Sequence, residues 1–394
     1  MASLSQSLQP KPSYQPLLAL GHTVNDMYSN LLSGLLPLLI LTFGLSYMLA
    51  GLAALVFNAT SSVLQPILGR WFDRAQAAWL MEAGLALNCT CISLVGVSPN
   101  YIVILFLLGT AGLGTASFHP PAFSTVVKAG TSKRGQALGL FLAGGNTGFF
   151  LGPIMAGLIL TMYGLHGTLL LLPIGLIVAL VLLRMRVTAR AQVPIQETES
   201  TQQPANRRLI ALLATITACR STTITVAETF LPVYFVSRGQ PLLIATTLAS
   251  VWLGVGLLGQ FIGGDISDRI GRFPIIMASL LIGGLIFLGF LLTNGWTSII
   301  FLTLAGLVLY TTWSVIVVMA TEAAPHNIGA VSGFMLGLAI GIGGFAALGF
   351  GALADQIGLQ FALVAFTAFV FAGGFLALLI PKFDRKLGLP IATG

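Results

Sequence analysis

Long apolar runs broken by short charged clusters set the rhythm of this chain. Residues 27–69, 83–127, 135–183 and 273–321 contain no charged side chain. A membrane-spanning helix needs about 20 apolar residues, so each run holds two helices and a tight turn, with both charged ends on one side. Turn residues fall where the runs must reverse: Thr42-Phe43-Gly44, Ser98-Pro99-Asn100, Tyr163-Gly164 with His166-Gly167, and Thr293-Asn294-Gly295. Segments 207–267 and 327–381 each accommodate a further pair, turning near Ser237-Arg238-Gly239-Gln240-Pro241 and Asp355-Gln356-Ile357-Gly358. The pattern predicts helices over 17–41, 46–69, 77–97, 101–127, 133–161, 165–186, 207–236, 241–267, 272–293, 297–322, 327–352 and 359–380.

Composition identifies the solvent. Of the 394 residues, 56% are hydrophobic and 7% charged, whereas a soluble domain carries about 25% charge because something must face water. A soluble enzyme, a secreted disulfide scaffold and a disordered chain are excluded together. Cys89, Cys91 and Cys219 all lie in apolar runs, and an odd number there argues against a disulfide framework. The polar, proline-broken first 16 residues lack the apolar centre of a cleavable signal, so the run from Leu17 is read as a true span. The net charge of +7 does not indicate nucleic acid, which requires a clustered, exposed basic face. Instead, all of the 18 basic residues except Arg220 and Arg238 fall on one side of the predicted topology. The positive-inside rule then places both termini in the cytoplasm.

The polar stretch 187–206 separates two halves, expected at 1–186 and 207–394, with 187–206 as a cytoplasmic linker. The halves repeat. Gly69, Asp73 and Arg74 match Gly264, Asp268 and Arg269 at an offset of 195, and Gly135 and Gly139 match Gly329 and Gly333 at an offset of 194. The expected fold is an all-α membrane protein, twelve transmembrane helices in two pseudo-symmetric six-helix bundles, with a substrate site near the bilayer midplane between them.

Twelve helices, a cytoplasmic middle loop and G-x-x-x-D-R in loops 2–3 and 8–9 resemble the major facilitator superfamily. The second loop copy, Gly264, Asp268, Arg269, Gly271 and Arg272, is similar to that family's loop motif. The first departs after Arg74, where Ala75-Gln76-Ala77 replaces the expected glycine and basic residues. In helix 5, Gly139, Gly148, Gly152, Pro153 and Ala156-Gly157 resemble the family's antiporter motif, with one glycine replaced by alanine. Within the superfamily, five stretches resemble the fosmidomycin-resistance group of efflux proteins: GHTVNDMYSNLLSGLLPLL, SSVLQPILGRWFD, GLGTASFHP, GGNTGFFLGP and IGAVSGFMLGLAIGIGG. That resemblance implies a bacterial cytoplasmic membrane and export of small drugs or metabolites against a proton gradient.

A charge at a helix centre costs about 2.5–3.5 kcal/mol on insertion scales, so Asp26, Glu82, Arg220 and Glu228 each need a reason. Helices 1 and 7 line the central cavity in the resembled family, and Asp26 and Arg220 both fall near mid-membrane. They are expected to pair across the cavity, either as proton acceptor and partner or as a structural ion pair locking the two helices. Glu228 lies about 12 Å beyond Arg220 along its helix, nearer the outer mouth, where it meets either incoming protons or interfacial water. Glu82, a turn into helix 3, is expected to snorkel to the interface. His22 shares the face of Asp26 at i, i+4, with Asn25 adjacent. His119 precedes two prolines, and there binds substrate, shuttles a proton or satisfies a freed carbonyl. Tyr28, Asn146, Tyr234 and Trp313 are polar-tipped groups on expected cavity helices, suited to substrate binding or to ordinary packing. Asp73, Arg74, Asp268, Arg269 and Arg272, with Glu322 as a partner for the last two arginines, are expected to latch the halves at the cytoplasmic side. An aspartate does this by facing a neighbouring helix N-terminus.

Other patterns carry no chemistry. Gly254-Val-Gly-Leu-Leu-Gly259 fits a dinucleotide pattern but has no preceding strand. No phosphate-cradling G-x4-G-K-[ST], H-E-x-x-H or paired-cysteine motif is present, so ATP, a metal and an enzymatic role are not expected. The partners expected are a small-molecule substrate, protons and lipid, around a monomer. Three functions compete: a proton-driven exporter, a proton-coupled importer of a sugar or organic acid, and a non-transporting receptor. Exporting an anion by antiport requires a proton site apart from Arg220, because an anion bound there would favour protonation of a paired Asp26 and so co-directional movement.

Overall fold

The computed structural model describes residues 14–75, 77, 79–129, 134–185, 205–325 and 327–383. Among them every regular element is helical: α1 (Gln15–Phe43), α2 (Tyr47–Ala75), α3 (Leu80–Val95), α4 (Tyr101–Ala129), α5 (Arg134–Tyr163), α6 (Leu172–Met185), α7 (Arg207–Ser237), α8 (Leu242–Ile270), α9 (Arg272–Leu292), α10 (Gly295–Glu322), α11 (Ile328–Ile357), α12 (Leu359–Ala377) and a last turn, α13 (Ile380–Phe383). Eleven helical segments in the described residues are long and apolar enough to cross a membrane. The expected third span is shorter, the 16 residues of α3. The expected sixth span is a composite: a 3-10 turn over Leu165–Leu171 leads into α6. Pro173, second in α6, has no N–H to donate to the turn before it.

The reversals follow the turn chemistry. Gly44, Gly164, Gly295 and Gly358 all have positive φ, a region that costs a residue with a Cβ and costs glycine nothing. Gly44 ends α1 by donating its N–H to the Ile40 carbonyl, satisfying one of the orphan acceptors of the last turn.

Each half packs on itself in the same way. α1 lies against α5, α3 against α4 and α2 against α4; in the second half α7 lies against α11 and α9 against α10. Three helix pairs join the halves, α2 with α11, α5 with α8 and, less extensively, α1 with α7. The first two depend on small residues. A Cβ on Gly51 would strike the Ala347 backbone, and one on Gly351 would strike the Tyr47 backbone. Without a hydrophobic driving force inside lipid, such close backbone approach supplies the packing energy.

These junctions lie toward the end that carries the tight turns. There Asp355, at the end of α11, accepts the backbone N–H groups of Tyr47 and Met48 at 2.7 and 2.9 Å, at the start of α2. Gly157 of α5 also meets Thr246 of α8. Toward the opposite end, a Cβ on Gly139, Gly333 or Gly337 would meet nothing within 4 Å. Among the described residues, the halves are thus latched at the turn end, with open space beside these glycines toward the other, the parted end. Most of the expected linker, 187–204, lies outside the described residues. Asn206, its last residue, caps α7 by accepting the N–H of Leu209 at 3.2 Å.

Candidate functional site

Three helices build a polar cluster inside the first half. On α1, His22 and Asp26 stand one turn apart, and His22 Nε2 lies 3.1 Å from Asp26 Oδ2. From α4, His119 Nε2 reaches Asp26 Oδ1 at 3.2 Å. The remaining ring nitrogens are also engaged: His22 Nδ1 lies 2.8 Å from the Phe141 carbonyl on α5, and His119 Nδ1 lies 3.1 Å from the Thr115 carbonyl. Asn25 donates to Asp26 Oδ1 at 3.0 Å and is itself held by Asn88 of α3, which donates to its side-chain oxygen at 3.1 Å. The side chains of His22 and Asp26 are 8% and 5% exposed, against 27% for His119. His119 is therefore the open side of the cluster.

The hydrogen-bond ledger of this cluster is short of protons. A neutral imidazole has one donor and one acceptor nitrogen. Here all four ring nitrogens face oxygens, two carbonyls and two carboxylate atoms. A carbonyl or carboxylate oxygen cannot donate, so a neutral ring leaves one lone pair pointed at another. Full pairing needs a proton on every ring nitrogen, or a cation between the rings and Asp26.

The glycines of α5 bring this cluster together. A Cβ on Gly145 would enter the His22 ring, one on Gly148 would meet the Thr23 carbonyl and the Met27 amide, and one on Gly152 would meet Asn30. Thr23 also donates to the Gly144 carbonyl at 2.9 Å. Of the helix 5 motif, Gly148 and Gly152 thus seat α1, Gly157 faces α8 across the halves, and Gly139 faces open space. Pro153 lies within an unbroken α5, its carbonyl close to Gly34 of α1.

A second cluster occupies the other half. Arg220 of α7 lies 5.5 Å from the ring centres of both Tyr310 and Trp313 on α10. Tyr310 donates its hydroxyl to Glu228, and Glu228 and Arg220 attract one another electrostatically. The Arg220 Nε is buried without a hydrogen-bond partner. The two clusters occupy equivalent places in the repeat: Asp26 and Arg220 are 194 positions apart, and so are His119 and Trp313.

Several expectations change. Asp26 forms its ion pairs with His22 and His119 and not with Arg220, because α4 supplies a nearer partner from the same half. Glu82 is buried in the first turn of α3 rather than snorkelling outward. Tyr28 turns inward, donating to the Leu171 carbonyl and accepting the Gly175 N–H at 3.2 Å, away from the other half. Tyr234, expected in substrate binding or in packing, packs with Phe235 and Phe290, and Arg238 lies 6.0 Å from its ring centre. Asn146 is half-buried on α5 beside Gly145.

At the parted end, Arg272 grips Glu322 with two nitrogens, at 2.6 and 2.9 Å, as expected. Arg269 pairs instead with Asp265 one turn back, at 2.8 Å, and Asp268 lies 3.4 Å from Arg272. These contacts stay within the second half. Arg74 is exposed, and the side chain of Asp73 lies outside the described residues. The contact between halves that uses a carboxylate at a helix N-terminus is found at the other end, through Asp355. Asn88, Thr115 and Tyr310 were not singled out as site residues. Asn88, a buried amide in an apolar helix, carried a signal in the sequence; Tyr310 stood three residues before Trp313.

Helices repeated in two halves, with a polar cluster inside each, fit a membrane transporter, and comparison with known proteins agrees. Residues 18–348 match the Major Facilitator Superfamily, and the chain belongs to that family. It is 31% identical to the MFS-type transporter YfnC of Bacillus subtilis, over 98% of both chains. It is 28% identical to the fosmidomycin resistance protein of Escherichia coli, over 94% of this chain and 93% of that one. Its fold is similar to that of a bacterial homologue of the human lysosomal transporter Spinster in an inward-facing, unoccupied conformation, with a TM-score of 0.84, 18% identity and coverage of 98% and 100% of the two chains. The nucleoside transporter NupG has a TM-score of 0.71 at 14% identity, over 94% and 99%. The protein is a multi-pass membrane transporter, not an enzyme.

Proposed function

We propose that the protein is a proton-coupled antiporter that exports a small drug-like molecule or metabolite by alternating access. The observation that carries the reading is Asp26 held between two imidazoles whose other nitrogens are already engaged. Such a cluster is completed by protons, and its open member, His119, gives them a route in. Arg220 is the substrate-side charge, held on aromatic faces with an unpaired Nε suited to an anionic oxygen such as that of a phosphonate. Because Asp26 pairs with histidines of its own half, the proton site and Arg220 are separate, which removes the objection to exporting an anion by antiport. The glycines of α5 and the resistance-protein relative support the outward direction. The latched end is then extracellular, both termini are cytoplasmic, and Asp268, Arg269 and Arg272 act when the parted end closes.

The test is counterflow in proteoliposomes carrying an internal pH dye, with phosphonates, sugars and lipophilic cations as substrates. Proton movement opposite to substrate, independent of ATP, is expected, with Asp26→Asn losing proton-driven transport while keeping substrate exchange. Co-directional movement of proton and substrate would overturn the exporter and favour an importer.

A further inference from the structure

His22, Asp26 and His119 do more than await protons. Each offers one ligand atom, an imidazole nitrogen or a carboxylate oxygen, and these atoms all lie within 4.8 Å of one another. Both Nδ1 atoms face backbone carbonyls, which place a hydrogen there and leave Nε2 as the lone-pair atom. Metal-ligating histidines are held in this way, the far N–H donated to a carbonyl so that the near nitrogen aims inward. The near nitrogens aim at one carboxylate, at 3.1 and 3.2 Å. Ligand atoms bound about 2.0–2.1 Å from a tetrahedral Zn2+ are about 3.3 Å apart, close to both histidine–carboxylate separations, and the whole set lies within 4.8 Å.

The surroundings fit the same occupant. Two imidazoles and one carboxylate suit first-row divalent ions rather than Ca2+ or Mg2+, which take oxygen ligands. Asn25 anchors Asp26 through its side chain, and Asn30 donates to the Asp26 carbonyl at 3.1 Å, fixing the α1 side. His119 leaves one face open, as in sites that keep a position for water or a substrate atom.

We infer that His22, Asp26 and His119 form a binding site for a divalent transition-metal ion, with an open coordination position. The ion is held by the Nε2 lone pairs and a carboxylate oxygen, so binding breaks no covalent bond and transfers no electron. This assignment stands apart from the transport reading, since binding is measured at equilibrium in detergent with no gradient. A protein that binds the ion and moves no protons overturns only the antiport mechanism.

The experiment titrates the purified full-length protein with CoCl2. One Co2+ per chain is expected, with the visible ligand-field absorption of a low-coordinate nitrogen–oxygen site, bleached by added ZnCl2. His22→Gln and His119→Gln are each expected to weaken binding at least tenfold, while His166→Ala, at an exposed histidine on the 3-10 turn, leaves it unchanged. No saturable binding, or binding that survives in the His22→Gln/His119→Gln double variant, would overturn the site. X-ray absorption of the wild-type zinc complex gives a check that no variant's folding can confuse: two imidazole ligands are required, and fewer would exclude it.

Discussion

The first half answers a buried anion with two imidazoles, while the second half, at equivalent positions of the repeat, answers a buried cation with two aromatic rings. Asp26 and Arg220 share a place in the fold and differ in sign; His119 and Trp313 also share a place, in α4 and α10. Imidazoles exchange protons near neutral pH, whereas a ring face holds an arginine through its quadrupole and exchanges nothing. One scaffold, duplicated, thus sets imidazoles against one buried charge and aromatic faces, with Glu228 held by Tyr310, against the other. In the proposed antiport, the first half would sense the driving ion and the second would hold the cargo.

The contrast is most sharply broken by exchanging its central charges. His119→Gln is expected to lose proton-driven transport while leaving substrate affinity near wild type. Arg220→Gln is expected to leave proton movement intact and weaken binding of an anionic substrate about ten- to hundredfold, the loss of about 1.5–3 kcal/mol for a charge-assisted hydrogen bond. Equal loss of both activities in both variants would end the division of labour. Gly148→Ala probes the seating of the first cluster: the new Cβ meets the Thr23 carbonyl and Met27 amide. A loss of about 1–3 kcal/mol from overpacking is expected, read as a lowered melting temperature in detergent. Tyr310→Phe removes the donor to Glu228. It is expected to cost about 1–2 kcal/mol and to perturb substrate binding without changing the pH profile. Glu322→Gln, whose carboxylate is 38% exposed, is expected to cost less than about 1 kcal/mol because solvent screens the pair.

Much of the fold was readable from charge placement, since lipid admits so few charges that their spacing marks the helix ends. Asp26 and Arg220 were visible for the same reason: each is expensive where it stands. Their partners were not visible. His22 lies one helical turn from Asp26 and follows from periodicity, but His119 comes from α4, and only the packing of α1 on α4 sets it against the carboxylate. The assumed Asp26–Arg220 pair joined the two strangest charges, and overlooked that a nearer histidine gives the same relief without crossing between halves. Tyr28 illustrates the limit of placing a residue on a helix without its rotation: it belongs to the expected helix but faces α6. The shortness of α3 and the 3-10 entry to α6 depend on local hydrogen bonding that hydropathy does not register.

The Asp355 latch has an uneven vulnerability to mutation. Its donors are the main-chain amides of Tyr47 and Met48, so almost any substitution in α2 preserves them, and only proline at either position deletes one. Its acceptor is a single side chain that one nucleotide change can remove. Over generations, the receiving side can drift freely while the whole inheritance of the latch passes through one codon.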